Sequence, residues 1–116
     1  MLTASGTANI IRVVTGAAIN LDVRTEGVQY DTSTGAVVPQ AGTNTAITTA
    51  TTTTIVAAPG TNKVQNVLSI HAKNKSSAAS SQVTFQAFDG TNAFDLYSVL
   101  LLPLEHCTLD ENGLWH

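Results

Sequence analysis

Three histidines, one cysteine and a scatter of carboxylates are the residues of this chain with chemistry to offer. His71, His106 and His116 fall at none of the spacings that make a metal site, neither i, i+4 on a helix nor i, i+2 on a strand, so they read as surface histidines. Asp89, Asn92 and Asp95 could be drawn as an oxygen cage for Ca²⁺. The run lacks the D-x-[DN]-x-[DN]-G order and a distal Glu, and Asp89-Gly90 is first a turn signal. His106 and Cys107 make a Cys/His couple only on paper, because neighbours on a strand point to opposite faces and their side chains cannot meet. Glu105 with Asp110 or Glu111 has the groups of a glycosidase pair, yet two acids near a turn are usually solvated and no aromatic-lined cleft is implied. Asn74-Lys75-Ser76 satisfies the glycosylation sequon, a pattern short enough to recur by chance. No nucleophile, base and orienter are mutually reachable. The expectation is a protein that is not an enzyme, with no catalytic residue, no cofactor and no metal ligand.

The elements that carry these residues read as strands. From Val64, Leu68, Ile70 and Ala72 alternate with Gln65, Ser69, His71 and Lys73, with only Val67 out of phase. A polar break over residues 74–80 leads to a second strand, Val83, Phe85 and Ala87 against Thr84, Gln86 and Phe88. Asp89-Gly90-Thr91-Asn92 suits a tight turn, so residues 93–102 should return as an antiparallel neighbour. Pro103 ends that strand, residues 105–109 form another, and Asp110-Glu111-Asn112-Gly113 turns the chain into Leu114-Trp115-His116. Towards the amino terminus, residues 9–15 and 19–30 carry strand-forming residues, joined by Gly16-Ala17-Ala18. Residues 31–45 hold Ser, Thr, Gly, Pro and Asn with little periodicity, which predicts a long surface loop and a contact arm. Residues 47–58, with Thr51 to Thr54 leading into Ile55 and Val56, form a β-branched strand that Pro59-Gly60-Thr61-Asn62 ends. Helical spacing is nowhere sustained. The pattern predicts an all-β, antiparallel β-sandwich of seven or eight strands, with Leu68, Ile70, Val83, Phe85, Phe94 and Leu96 facing the core. Jelly-roll and immunoglobulin-like strand orders both satisfy it.

With 116 residues the chain suits one domain, 1–116, around one core. Hydrophobic residues make up 43% but aromatics only 5%, so Val, Ile, Leu and Ala must fill the interior, with Phe85, Phe88, Phe94 and Trp115 as the few large fillers. Charged residues are 11%, against roughly 25% in an ordinary soluble domain. Five scattered basic residues and a net charge of -3 set nucleic acid aside as a partner. Cys107 stands alone and can form no intrachain disulfide. Met1 to Gly6 has neither a basic nor an apolar signal region, and Val99 to Leu102 is too short to span a bilayer. The expectation is a protein soluble when made, with no membrane partner.

A resemblance enters through the order of these strands. Thr51 to Pro59, then Val64 to Lys75, then Val83-Thr84-Phe85-Gln86 with Asp89-Gly90-Thr91, then Leu100 to Glu105 and Gly113-Leu114-Trp115, resembles small β-sandwich structural proteins of tailed bacteriophages. In that family a threonine-rich lead-in and a Pro-containing turn precede a strand ending in Asn. A "leucine, Pro or Ala, Gly, Glu" step then precedes a final Gly-Trp strand. Here Leu104 stands where the pattern has Gly, and Leu114 separates Gly113 from Trp115, so a last turn of different shape is expected. The resemblance covers roughly residues 45 to 116. It implies a virion component made in the host cytoplasm and attached in many copies to capsid, neck or tail, with itself and other virion proteins as partners and a homo-oligomer as its state. Low charge agrees, since Thr, Ser, Asn and Gln satisfy buried contacts without the desolvation cost of Lys or Glu. The threonine-rich segment from Thr48 to Thr54 carries no Lys, Pro or inward charge, so an edge strand there would be open to pairing. The alternative is a carbohydrate-binding β-sandwich module with a host-surface glycan as partner, for which Tyr30, Tyr97, Phe88 and Trp115 could offer stacking rings.

Overall fold

Period-2 alternation leaves each strand one apolar face, and two such faces must be buried against each other. In the computed structural model, which describes residues 2–116, this is done by two antiparallel sheets, and no helix occurs among those residues. In chain order the strands are β1 (Leu2–Gly6), β2 (Ile10–Thr15), β3 (Leu21–Asp31), β4 (Val37–Ile47), β5 (Thr52–Val56), β6 (Gly60–Asn74), β7 (Ser81–Phe88), β8 (Ala93–Leu101), β9 (His106–Asp110) and β10 (Gly113–Trp115). The larger sheet runs β10-β9-β6-β3-β4, with β1 added along the first half of β6; the smaller runs β5-β2-β7-β8. Pairing thus fixes the strand order that alternation leaves open. Leu21 and Val23 of β3, Ile70 and Ala72 of β6, and Cys107 and Leu109 of β9 meet Ile11 and Val13 of β2, Val83 and Phe85 of β7, and Val99 and Leu101 of β8 in one core.

The count of ten exceeds the seven or eight expected, and the two additions have different causes. β1 offers only Leu2 and Ala4 on its buried face, too few positions for a period to show. β4 lies inside the stretch expected to be a long loop. Instead of a loop over residues 31–45, β3 and β4 form a hairpin from Leu21↔Ile47 to Tyr30↔Val37, joined by a short turn. The Asp31 carboxylate accepts the Ser33 and Thr34 amides at 2.9 and 3.2 Å, and Ser33 Oγ donates to it at 2.7 Å. These bonds, the Ser33 hydroxyl first, hold its pKa below the ordinary carboxylate value. β4 hides in the sequence because it is an edge strand: one neighbour suffices, so Pro39 and a polar composition are tolerated.

Two expected core residues face solvent. Leu68 is 56% exposed, while Val67, the residue out of phase, is buried at 3%. The register explains both: Glu26 pairs with Ser69 and Gly27 with Val67, so Leu68 is the extra residue of a β-bulge that reverses the phase of β6. Gly27 permits the close approach there, because a Cβ would stand 2.2 Å from the Asn66 carbonyl oxygen. Phe94 is 58% exposed although the register shift of β8 between Phe85↔Tyr97 and Gln86↔Asp95, which leaves Leu96 as its extra residue, pairs it with Ala87 in the phase of Phe85. Leu96 packs partly on the core, Phe88 is half-buried, and Trp115, expected as a filler, is 59% exposed.

The turn between β8 and β9 places Leu104 in the left-handed region that Gly favours. Glu105 N–H donates to the Leu102 carbonyl at 3.1 Å, Pro103 takes the second place, and Leu104 takes the third with φ 65°. A left-handed leucine costs about 1–2 kcal/mol. Glycine would recover this less about 0.5–1 kcal/mol for its freer unfolded chain. Because Leu104 is well exposed, Leu104→Gly is expected to raise stability by about 0.5–1 kcal/mol in urea unfolding.

Candidate functional site

The candidate chemical residues are used by the fold, and the geometry says how. On β9, His106 faces solvent while Cys107 is fully buried on the opposite face, and burial pushes the thiol up to about 11. The acids hold turns. Asp89 accepts the Asn92 and Thr91 amides at 2.7 and 2.9 Å, which lowers its pKa, and Asp95 accepts Gln86 Nε2 on the neighbouring strand. Glu105 Oε1 accepts the Leu102 amide at 2.8 Å, the largest cause of its lowered pKa, and lies 3.2 Å from His116 Nε2. Asp110 accepts the Asn112 amide and the Trp115 indole N–H. The sequon residue Asn74 is buried, with Nδ2 donating to the Ala79 carbonyl at 2.8 Å.

Pairing also makes neighbours that sequence spacing hides. His71 and His106 come together on β6 and β9, ring centroids 5.5 Å apart, with His71 Nδ1 3.0 Å from Thr108 Oγ1. The registers His71↔Thr108 and Lys73↔His106 create this contact between residues remote in sequence. Among the described residues no third metal-ligating group joins them.

A second feature is the side where β4 and β5 lie. Each is the last strand of its sheet, so each presents unpaired backbone groups. Neither contains a charged residue. Between them opens a cleft of about 310 Å³ whose walls include Gln29, Gln40, Thr43, Thr45, Thr54 and Gln65. Pro39 and the register shift between Thr25 and Gly27 blunt the first half of β4, whereas residues 43–47 carry no such device. At the hairpin tip, Val37, Tyr30 and Val64 stand side by side on one face through the pairs Tyr30↔Val37 and Tyr30↔Val64, with Val37 61% exposed. The sequence points to the threonine-rich edge directly. It marks residues 31–45 as a contact arm but as a loop, and so misses that the arm is the edge strand β4.

Compared with known protein families, curated proteins and solved structures, the chain matches none.

Proposed function

We propose that the chain is a non-enzymatic structural subunit, present in many copies in a particle of the tailed-phage virion type and joined to itself and its neighbours by strand edges. The observation that carries the reading is the pair of uncharged edges, β4 and β5, flanking one Thr- and Gln-lined cleft. An added strand pairs its main chain with such an edge, and the amides and hydroxyls of the cleft satisfy it with Glu26, already paired to Arg24, as the one charged residue of the lining. The exposed Val37, Val38 and Tyr30 extend the same contact at the hairpin tip. The strand order also changes how the contact is to be tested. Deleting residues 32–44, suited to a loop, would remove most of β4. Charge is the cleaner probe, since inward and edge lysines are the natural block to pairing.

The wild-type chain is expected to sediment as an oligomer with interfaces of at least about 1,000 Å². Thr43→Lys with Thr54→Lys, one on each wall of the cleft, is expected to give a monomer with an unchanged far-UV spectrum. A wild-type chain that stays monomeric at millimolar concentration and is missing from purified particles would overturn the proposal.

A further inference from the structure

The outward face of the larger sheet is built unlike the rest of the surface. Reading the pairs across it, Trp115 stands beside Thr108, Thr108 beside His71, His71 beside Arg24 and Arg24 beside Asn44. Five adjacent strands therefore present one transverse row about 19 Å long, at the usual spacing between strands. At one end is the 59% exposed indole of Trp115, tethered by its N–H to Asp110 Oδ1 at 3.3 Å. At the other end a hollow of about 440 Å³ is lined by Asp22, Arg24, Asn44, His71 and Lys73.

The polar groups of this row are held in place. Arg24 Nε donates to Glu26 Oε1 and Nη1 to Asn44 Oδ1, both at 2.9 Å. Its guanidinium crosses Gly42, where a Cβ would stand 2.3 Å from Nη2. His71 and Thr108 are bonded to each other at 3.0 Å. Arg24 pairs with Glu26, and Lys75 with Asp22 at 3.1 Å, while Lys73 stands opposite Asp22 in register without an ion pair of its own. With Lys73 the one cation left over, the face lacks the cluster of unpaired cations that a polyphosphate selects. It does offer a fixed aromatic plane followed by alternating donors and acceptors, the complement of an uncharged polyhydroxyl chain.

We propose that this face binds a neutral oligosaccharide, one sugar ring stacked on Trp115 and the hydroxyls of the following rings hydrogen-bonded along Thr108, His71, Arg24 and Asn44. The row ends on β4, where its hollow shares Thr45 with the β4 and β5 cleft, whereas Trp115, Thr108 and His71 lie on β10, β9 and β6, the strands farther from that cleft.

Trp115 is the sole tryptophan, which makes its fluorescence a report on this site alone. The full chain is titrated with cellohexaose, chitohexaose, maltoheptaose and polygalacturonate oligomers, and is printed against an array of bacterial surface polysaccharides. The expected result is a saturable shift in Trp115 emission, with reduced iodide quenching, for at least one neutral glycan. Trp115→Ala, read by calorimetry, is expected to weaken that binding about tenfold or more while Trp115→Phe retains part of it. Thr108→Val is expected to weaken it several-fold with the circular dichroism unchanged. Four results would each overturn the proposal: no response to any glycan, binding that Trp115→Ala leaves intact, binding confined to polygalacturonate and lost in salt, or Trp115 shielded by self-association without sugar. The last would make the face a contact between copies.

Discussion

Phe85→Ala is expected to lower the unfolding free energy by about 3–5 kcal/mol, the usual cost of emptying a buried phenylalanine site. Phe85 lies on β7, a central strand of the smaller sheet, flanked in register by Val13 and Tyr97, and its side chain is fully buried. It is the largest such side chain among the described residues, while the other two phenylalanines lie partly or mostly in solvent. The interior around it is Val, Leu, Ile and Ala on strands pinned by their ladders, so the vacated volume cannot collapse cheaply. Urea unfolding followed by circular dichroism measures the loss. Leu68→Ala is the control, since the bulge turns Leu68 outward; its cost is expected within about 0.5 kcal/mol, as for an ordinary surface site. A cost for Phe85→Ala below about 1 kcal/mol would mean that the buried face of β7 has been assigned backwards.

The contrast between Phe85 and Leu68 shows what alternation can and cannot carry. Along β7, whose ladder to β2 is unbroken and whose pairing with β8 puts the extra residue on β8, period 2 assigns the faces correctly. At a bulge the period skips one residue, and the only trace in sequence is an apolar residue in the wrong phase, here Val67. The partner that causes the skip, Gly27, sits on another strand far upstream, so the signal is split between remote positions. β4 fails for a different reason. A strand paired on one side and solvated on most of its surface needs neither apolar period nor freedom from proline, and residues 37–47 therefore read as loop. The candidate surfaces follow the same logic. The threonine-rich edge of β5 is local and legible, whereas the row from Trp115 to Asn44 exists only once five strands are in register.

Asn74 is the residue whose role the sequence most conceals, and its replacement is expected to be the second costly change. Read locally it ends a strand and opens a sequon. In the fold it is completely buried, where the β6–β7 connection meets the end of β8. Nδ2 donates to the Ala79 carbonyl at 2.8 Å in the β6–β7 connection, and to the Leu102 and Leu101 carbonyls at 3.2 and 3.4 Å at the end of β8. Oδ1 accepts the Ser76 amide at 3.0 Å. Ser76 passes the linkage on, its Oγ accepting the Asn20 amide and its carbonyl the Leu104 amide. Asn74→Leu keeps nearly the same volume and strips all of these side-chain bonds, so it isolates hydrogen bonding from packing. Each orphaned buried group costs about 1–3 kcal/mol, and some of these carbonyls can still reach water, which gives an expected loss of about 2–4 kcal/mol. The local signature separates this from general destabilisation: amide exchange at Ser76 and Leu104 should quicken before that of the β6 and β7 ladders. Loss of stability below about 1 kcal/mol, with exchange at Ser76 unchanged, would mean that these connections are held by their own backbone bonds and that Asn74 only fills space.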